Sequence, residues 1–270
     1  MRKKLERLYD QYNQRRYVHP DPLEFLYNYK ELRDREIVGL IASALAYGKV
    51  AQILKSVGAV LEKMGPSPFA YLQSTPSVRI VSDFQPFVHR FAKGPQLSAF
   101  LMGIQQVILD YGSLYNCFLY CFNDRFSRTD ETILPVLALF SEKIIQGSSV
   151  ASGSCSPGHL VPCPEKGSAC KRLHLFLRWM VRKDAVDPGG WDDVPRSALI
   201  IPLDTHMFRI GKALGLTFRN QADRLAALDI SVGFKQWSPD DPVKYDFALT
   251  RFGIRNDLDG HDALVRQLDM

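Results

Sequence analysis

The sequence predicts an all-α protein, and three observations lead to this fold class. Apolar residues recur every three or four positions through most of the chain, which is the spacing of amphipathic helices. Clusters of glycine and proline, such as GPSP at residues 65–68, interrupt these periodic segments. No segment shows the alternation of polar and apolar residues that marks a strand. A chain of 270 residues can build a sizeable core, in one domain or in two closely joined lobes.

The first half of the chain contains predicted helices in close succession. An amphipathic N-terminal helix places four residues on one face: Leu5, Leu8, Tyr9 and Tyr12. Residues 35–64 form a helical segment with a break near Tyr47 and Gly48. Further helices are predicted over residues 80–93, 96–110, 112–124 and 131–146. The stretch 147–158, rich in serine and glycine, is predicted to be a surface loop or an insertion.

The second half contains three further predicted helices. We expect one over residues 168–184 with Ser168 as its N-cap, because a serine hydroxyl can accept a hydrogen bond from a free amide at a helix start. Another begins at Asp204. The last covers residues 242–252, behind the start signal SPDD at residues 238–241.

Composition narrows the class of protein. Hydrophobic residues make up 46% of the chain and charged residues 23%, as in ordinary globular proteins. Apolar runs end well before the roughly 20 residues that a membrane span needs, so no membrane association is expected. The five cysteines include no C-x-x-C pair, which is typical of a protein of the reducing cytoplasm rather than of a disulfide scaffold. The net charge of +5 favours a polyanionic partner without identifying one.

Two residues at predicted helix starts have side chains that are suited to catalysis. Lys171 lies in the first turn of its helix, where the positive end of the helix dipole disfavours the charged amine and so favours a nucleophile. Asp204 lies at the next helix start, where the same dipole favours an ionised carboxylate, which can stabilise a developing cationic sugar. Each residue also has an ordinary interpretation. A lysine early in a helix is usually solvated, and an aspartate before a helix is usually only a cap.

The segment around Asp204 resembles a known enzyme family. Residues 200–216, IIPLDTHMFRIGKALGL, closely resemble the V-D-T-H-(x)-F-R-(x4)-L region of endonuclease III and its relatives, the helix-hairpin-helix DNA glycosylase superfamily. The aspartate of that motif is the superfamily's catalytic carboxylate, and it matches Asp204. Residues 165–172, EKGSACKR, loosely resemble the hairpin G-(x)-G-(x)-K-T-A. This match implies that Gly167 is a hairpin glycine and that Lys171 is the lysine that forms a Schiff base in bifunctional members.

The resemblance covers most of residues 30–255 and implies a fold. It implies two helical lobes with a cleft between them. The central lobe, residues 36–185, would end in the hairpin, and residues 1–35 would join residues 186–270 in the second lobe. The chain is also similar to a bacterial family of proteins of unknown function that carries K-R-L-(x)-(x)-(F/Y)-L-R-W-M-V-R followed by P-L-D-T-H.

Three departures from the endonuclease III pattern matter. No cysteine follows Cys170, so the C-terminal four-cysteine motif is absent, and we expect neither an iron–sulfur cluster nor another cofactor. Glu165 replaces the first hairpin glycine, which weakens the backbone grip on phosphate. The interval between Lys171 and Asp204 is longer than in endonuclease III and resembles that of the archaeal 8-oxoguanine glycosylase branch.

The resemblance also implies DNA contacts around the pair. The predicted contacts are Gly167, Ser168, Arg172, Tyr47, His206 and Arg209. Tyr47 matches the position where relatives place a residue that probes the DNA stack, as base flipping requires, and core packing is its alternative. His206 either touches the substrate or serves as a structural histidine. The hairpin helix has a basic face that suits phosphate contacts or is simply solvated, formed by Arg172, Arg178, Arg182 and Lys183.

The implied function is excision of an oxidised or otherwise damaged base from double-stranded DNA, followed by strand cleavage through a Schiff base at Lys171. We expect a cytoplasmic monomer whose partner is a duplex with a damaged or abasic nucleotide. One alternative is a protein of the same fold that binds nucleic acid without catalysis. The other is a zinc-dependent protein, because five possible ligands lie within twenty residues: Cys155, His159, Cys163, Cys170 and His174. Their spacing fits no short-hairpin pattern, so we expect no metal site.

Overall fold

The computed structural model describes residues 1–126, 132–152 and 155–254, together with Leu264 and Leu268. In these ranges the protein is mostly helical, which confirms the predicted predominance of helices. The α-helices are Arg2–Tyr12 (α1), Leu32–Ala44 (α2), Val50–Met64 (α3), Pro68–Ser74 (α4), Ser77–Phe84 (α5), Gly94–Tyr111 (α6), Leu114–Arg125 (α7), Leu134–Ser152 (α8), Lys171–Val181 (α9), Thr205–Ala213 (α10), Arg224–Lys235 (α11) and Asp246–Ile254 (α12).

Shorter elements connect these helices. The 3-10 helices are Arg15–Tyr17, Pro22–Asn28, Gly158–Leu160, Pro164–Lys166 and Arg196–Ala198. The described residues also form a small antiparallel sheet, made of Val88–His89 (β1) and Ala92–Lys93 (β2). In this hairpin Val88 is opposite Lys93 and His89 is opposite Ala92.

The chain divides into two compact units. The flanking unit comprises Met1–Pro20, Asp130–Ile133 and Lys166–Met270. The central unit comprises Asp21–Thr129 and Leu134–Glu165. Helix α1 therefore belongs with α9 to α12, whereas α2 to α8 form the central unit. The boundary at residues 36–185 that the sequence suggests for a central lobe stays a prediction.

The core of the central unit is built on α6. This helix packs most extensively against α8 and also contacts α4, α5 and α7. Gly103 permits the close approach to α8, because a Cβ atom there would lie 2.4 Å from the carbonyl oxygen of Ile144. The buried carboxylate of Glu36 accepts hydrogen bonds from the amides of Leu114 (2.7 Å) and Tyr115 (3.0 Å) at the start of α7. It thereby satisfies amides that have no partner within their own helix.

The flanking unit joins α1 to α12. Of the predicted apolar face of α1, Leu5, Leu8 and Tyr12 are buried and Tyr9 is half-buried. The Tyr12 ring packs edge-on against Phe252 with 4.9 Å between the ring centroids. On the polar side of α1, Glu6 accepts hydrogen bonds from Lys244 Nζ (2.6 Å) and from the Tyr245 hydroxyl (2.7 Å). These contacts hold the N-terminal helix against the segment that leads into α12.

One predicted helix is wrong in its second half. The helix expected over residues 80–93 ends at Phe84, and the β1–β2 hairpin follows. Pro86 lacks an amide hydrogen to continue the helical ladder, which explains the early end. His89 and Ala92 are buried and their strand neighbours are exposed, but strands of two residues are too short to be recognised by alternation.

The boundaries of α8 and α12 also differ from the prediction. Helix α8 continues to Ser152, so the loop predicted at residues 147–158 starts too early. Residues 131, 153 and 154, which fall within these predicted segments, lie outside the described residues. Helix α12 begins at Asp246 rather than at residue 242, because residues 239–245 form turns before it.

The sequence pattern does not predict α11. Its N-cap is Asp223, whose side chain accepts a hydrogen bond from the amide of Ala226 at 2.8 Å. Such a cap is a recognisable helix-start signal. The exposed polar residues that precede it make the region resemble a loop.

Candidate active site

Asp204 lies at the start of α10 and caps this helix, as its sequence context predicts. It is the N-cap of the helix, and its Oδ1 accepts a hydrogen bond from the amide of Met207 at 2.8 Å. This bond satisfies one of the free amides of the first turn and fixes the carboxylate relative to the helix axis. The other carboxylate oxygen, Oδ2, points away from this cap and is available for a second partner.

Lys171 is the first residue of α9, after a sharp turn of the backbone. Cys170 precedes it in a left-handed conformation with φ +44°, which is rare for a residue with a side chain. The Cys170 carbonyl accepts the amide hydrogens of Leu173 and His174, so Cys170 is the N-cap. The prediction that Ser168 caps this helix is therefore wrong. The Ser168 hydroxyl instead accepts a hydrogen bond from the Cys170 amide at 3.3 Å and so supports the turn.

The structure brings the two predicted catalytic residues together. Lys171 Nζ lies 3.3 Å from Asp204 Oδ2. The lysine side chain is 35% exposed and the aspartate side chain 17% exposed, so a ligand can reach the pair while solvent reaches it only in part. Asp204 Oδ1 therefore caps the helix, whereas Oδ2 faces the amine of Lys171. An amine this close to a carboxylate can transfer a proton to it and act as a nucleophile.

A buried carboxylate that sequence reasoning missed lies near this pair. Asp246, at the start of α12, is buried, and its Oδ2 accepts a hydrogen bond from Arg178 Nη1. Its Oδ1 has no hydrogen-bond partner among the described residues. Burial raises the pKa of Asp246, and the charge of Asp204 raises it further, whereas Arg178 and Lys171 lower it. The segment DFALTRF reads as an ordinary apolar helix, so no sequence signal singles out this aspartate.

Asp246 is one member of a buried ion cluster around two arginines, Arg178 on α9 and Arg182 directly after this helix. The acidic members are Asp184, Asp187, Asp241 and Asp246. Both arginine side chains are almost fully buried, so the prediction that they offer phosphate contacts or a solvated face is wrong. Their charges are directed into the protein, where they pair with Asp184 and Asp187 just after α9 and with Asp241 and Asp246 from farther along the chain.

The buried ion cluster contains two guanidinium groups and four carboxylates. Because carboxylates outnumber guanidinium groups, the pKa values of the carboxylates are shifted in different directions. Burial raises the pKa of Asp187 to about 6, although Arg178 and Arg182 act in the opposite direction. At Asp184 burial also raises the pKa, but the Arg182 guanidinium and two backbone amides outweigh it, so the pKa is lowered. The carboxylates of this cluster are therefore not equivalent. Ionisation of Asp184 stabilises the fold, whereas ionisation of Asp187 and Asp246 does not.

The variants Asp246→Asn and Asp184→Asn are expected to differ in their effect on stability, and only the second should lower it. The raised pKa of Asp246 means that folding disfavours its ionised form, so the neutral amide should leave the free energy of unfolding at pH 7 unchanged or higher. The lowered pKa of Asp184 means that its ionised form stabilises the fold above the ordinary carboxyl range. Asp184→Asn should therefore lower the free energy of unfolding by about 1–3 kcal/mol.

Urea titrations of both variants at pH 7 and pH 4 test these signs. Any gain of Asp246→Asn over the natural protein should shrink as the pH falls from 7 to 4, because the natural carboxyl, with its raised pKa, takes up protons as the pH falls. The deficit of Asp184→Asn should persist at pH 4, because a lowered pKa is crossed only at still lower pH. A loss of more than about 2 kcal/mol in Asp246→Asn at pH 7 would show instead that its ionised form is stabilising.

The predicted hairpin contacts lie on the same short segment as Lys171. Gly167 is exposed with φ +81°, and its carbonyl accepts a hydrogen bond from the amide of Arg224 at 3.2 Å. Ser168 is exposed, and Arg172, next to Lys171, is half-buried. A 3-10 helix, Pro164–Lys166, precedes this turn. The turn is thus anchored to the start of α11.

The other two predicted contacts of this unit follow Asp204 on α10. His206 is half-buried and Arg209 is exposed. The His206 ring packs directly on the backbone of α12, because a Cβ atom at Gly253 would lie 2.2 Å from its Nδ1. The absence of a side chain at Gly253 therefore gives the His206 ring its place two residues after Asp204.

Tyr47 belongs to the central unit, in the connection between α2 and α3. Its ring lies between two imidazoles, with 4.7 Å to the His89 centroid and 5.3 Å to the His159 centroid. Its hydroxyl donates to the carbonyl of His89 at 3.0 Å and also contacts His159 Nε2 at 2.9 Å. The residue is half-buried and held on several sides. A role for Tyr47 in probing DNA stays a prediction.

The five possible zinc ligands do not form a metal site in the described part of the chain, where no group of three or more His, Cys, Asp or Glu side chains could hold an ion. Cys170 and His174 are both buried. Burial lowers the pKa of His174 to about 3, so its ring is neutral. The five cysteines are free thiols.

Comparison with known proteins gives one match. The model of a family described as "Protein of unknown function (DUF2400)" matches residues 21–255. No curated protein and no solved structure matches the chain. None of the described helices combines the length and the apolar character that a membrane span requires.

Proposed function

We propose that this protein, which belongs to the DUF2400 family of unknown function, is a DNA base-excision glycosylase with abasic-site lyase activity. The observation that carries the proposal is the 3.3 Å contact between Lys171 Nζ and Asp204 Oδ2 at two adjoining helix starts. A partly exposed amine beside a fixed carboxylate is the arrangement that a Schiff-base mechanism needs. The resemblance of residues 200–216 to the glycosylase motif supports the same assignment.

The proposed reaction uses the two side chains in sequence. Asp204 Oδ2 accepts a proton from Lys171, and the neutral amine attacks C1′ of a flipped damaged nucleotide. The bond from C1′ to the base breaks as the bond to Nζ forms, and the departing base takes the electron pair and the proton held by Asp204, which becomes a carboxylate again. The carboxylate of Asp204 stabilises the positive charge that develops on the sugar. Opening of the sugar ring gives a Schiff base, and loss of a C2′ proton then expels the 3′ phosphate.

The setting proposed for this reaction is the cytoplasm, with duplex DNA as partner and no cofactor. Five free cysteines agree with a reducing compartment. The net charge of +5 agrees with a polyanionic partner. An oxidised or otherwise damaged base is the proposed substrate, and the protein would act as a monomer.

A second candidate function is binding of nucleic acid without catalysis. The observation that favours it is Glu165, which is exposed and stands where the hairpin motif has its first glycine. A carboxylate at this position opposes the approach of a phosphate. The retained contact between Lys171 and Asp204 favours the enzyme.

Sodium borohydride trapping distinguishes the two functions. The purified protein is incubated with three labelled duplexes, one with an abasic site, one with 8-oxoguanine and one undamaged. We expect a covalent adduct on the abasic duplex, since borohydride reduces a Schiff base to a stable amine. An adduct on the 8-oxoguanine duplex would add glycosylase activity toward that base. Binding to the abasic duplex without any adduct would contradict the lyase and support the binding protein.

A further inference from the structure

We propose that the central unit carries a second nucleic-acid contact, in which the ring of Phe91 stacks on a base. This contact surface, the cationic aromatic patch, consists of Lys49, Arg90, Phe91, Lys93 and His159. The proposal rests on the proposed function for its type of ligand, a nucleic acid. It does not rest on catalysis, and it assigns the contact to residues that the sequence motifs leave out.

Three separate segments of the central unit meet at this patch. They are the connection between α2 and α3, the turn of the β1–β2 hairpin, and the 3-10 helix Gly158–Leu160. Tyr47 joins all three, because its hydroxyl contacts the carbonyl of His89 and Nε2 of His159. The Arg90 side chain lies over the backbone of Gly48, where a Cβ atom would come within 2.8 Å of its Cδ.

The hydrogen bonds beneath the patch fix the orientation of its imidazole rings. Tyr47 has a single hydroxyl hydrogen, which it donates to the His89 carbonyl, so His159 Nε2 must be the donor to the Tyr47 oxygen. His89 Nε2 likewise donates to the carbonyl of Tyr47 at 3.2 Å, and its Nδ1 contacts the Ser56 hydroxyl at 2.9 Å. The layer of side chains beneath the patch is therefore ordered by hydrogen bonds as well as by ring packing.

Phe91 lies above this ordered layer, and its ring is accessible to a ligand. Its side chain is 73% exposed at the tip of a two-residue turn. The turn is strained, because Arg90 adopts φ +53°. The Arg90 guanidinium lies 5.4 Å from the Phe91 ring centroid, and the His159 ring contacts the same phenyl ring at 6.5 Å. Residues in strained backbone conformations cluster at active sites and ligand contacts.

The charge of the patch selects an anionic partner. Lys49, Arg90 and Lys93 are all exposed. The segments 46–52, 86–96 and 155–162, which supply the residues of the patch, contain no aspartate or glutamate. The positive charge of the patch would by itself also allow it to bind an acidic peptide. The phenyl ring with an adjacent guanidinium favours nucleic acid, since bases offer flat π-faces that stack on aromatic and guanidinium groups.

Fluorescence anisotropy with a labelled duplex that carries a tetrahydrofuran abasic analogue tests the proposal. This analogue cannot form a Schiff base, so binding is measured independently of catalysis. Phe91→Ala should weaken the affinity about 10-fold, because one base–aromatic stack is lost. Phe91→Trp should retain the affinity. Val88→Ala, which removes a 62% exposed apolar side chain from the same hairpin, is the matched control and should have no effect.

The outcomes separate this proposal from the proposed function. Equal affinity of Phe91→Ala and the natural protein would overturn the patch, whatever the trapping experiment shows. A 10-fold loss in Phe91→Ala together with no borohydride adduct would support the patch and overturn the lyase. The double variant Lys49→Gln, Lys93→Gln should reduce the slope of log affinity against log salt by about 2. Displacement of the duplex by polyglutamate as effectively as by unlabelled DNA would overturn the nucleic-acid assignment in favour of an acidic protein.

Discussion

Lys171→Gln is expected to reduce borohydride trapping on abasic DNA to the level of a sample without protein. Glutamine keeps much of the side-chain volume but has no amine, so no Schiff base can form. The variant should still fold, because the Lys171 side chain is 35% exposed and its partner Asp204 keeps its bond to the Met207 amide. Denaturing gels that separate free DNA from the adduct provide the measurement.

Lys166→Gln is the matched control for this variant. Lys166 is an exposed lysine on the same turn, five positions before Lys171, and it should be dispensable for trapping. If the Lys171→Gln protein still yields adduct and the Lys166→Gln protein does not, then the nucleophile is assigned to the wrong lysine. An unchanged yield in both variants would remove the turn from the mechanism altogether.

Arg182→Ala is expected to destabilise the protein more than Asp184→Asn does, by about 3–5 kcal/mol in the free energy of unfolding. Arg182 Nε contacts Asp241 at 2.9 Å and Nη2 contacts Asp184 at 2.9 Å, while Nη1 contacts Asp187. Removal of the guanidinium leaves three carboxylates with too little positive charge in a buried site. The cost of an uncompensated buried charge exceeds the cost of the lost packing.

Urea unfolding followed by circular dichroism measures this loss, and Lys183→Ala is the control. Lys183 is the next residue and is exposed, so its removal should change the free energy of unfolding by less than about 0.5 kcal/mol. A loss below about 1 kcal/mol for Arg182→Ala would mean that the buried ion cluster contributes little net stability, as some buried ion pairs do.

The parts of the candidate site that depend on local signals could be predicted from the sequence. Asp204 acts as an N-cap because an aspartate before an apolar helical pattern satisfies the first-turn amides, and this signal lies within four residues. Lys171 is at a helix start as expected, although Cys170 rather than Ser168 is the cap. Cys170 has a left-handed backbone conformation, and no residue type in the segment 165–172 predicts it at this position.

The parts that depend on distant partners could not be predicted. Arg178 and Arg182 have the helical spacing of a basic surface, and local sequence gives no indication that they are buried. Their partners Asp246 and Asp241 lie 68 and 59 positions further along the chain. The contact of Lys171 with Asp204 likewise comes from tertiary packing, and only resemblance to a known motif suggested it. The β1–β2 hairpin was missed because its strands are too short to show a period.

The arrangement of the two units has a consequence for synthesis on the ribosome. Residues 21–129 and 134–165 of the central unit emerge as a nearly continuous stretch, so this unit can fold while the chain is still growing. The packing of the flanking unit is completed later, because α1 precedes the central unit in the chain and packs against α12, which follows it. Lys171, Asp204 and Asp246 therefore come together only after α12 has been translated, well after the central unit. A product that ends before α12 would lack both Asp246 and the contact between α1 and α12.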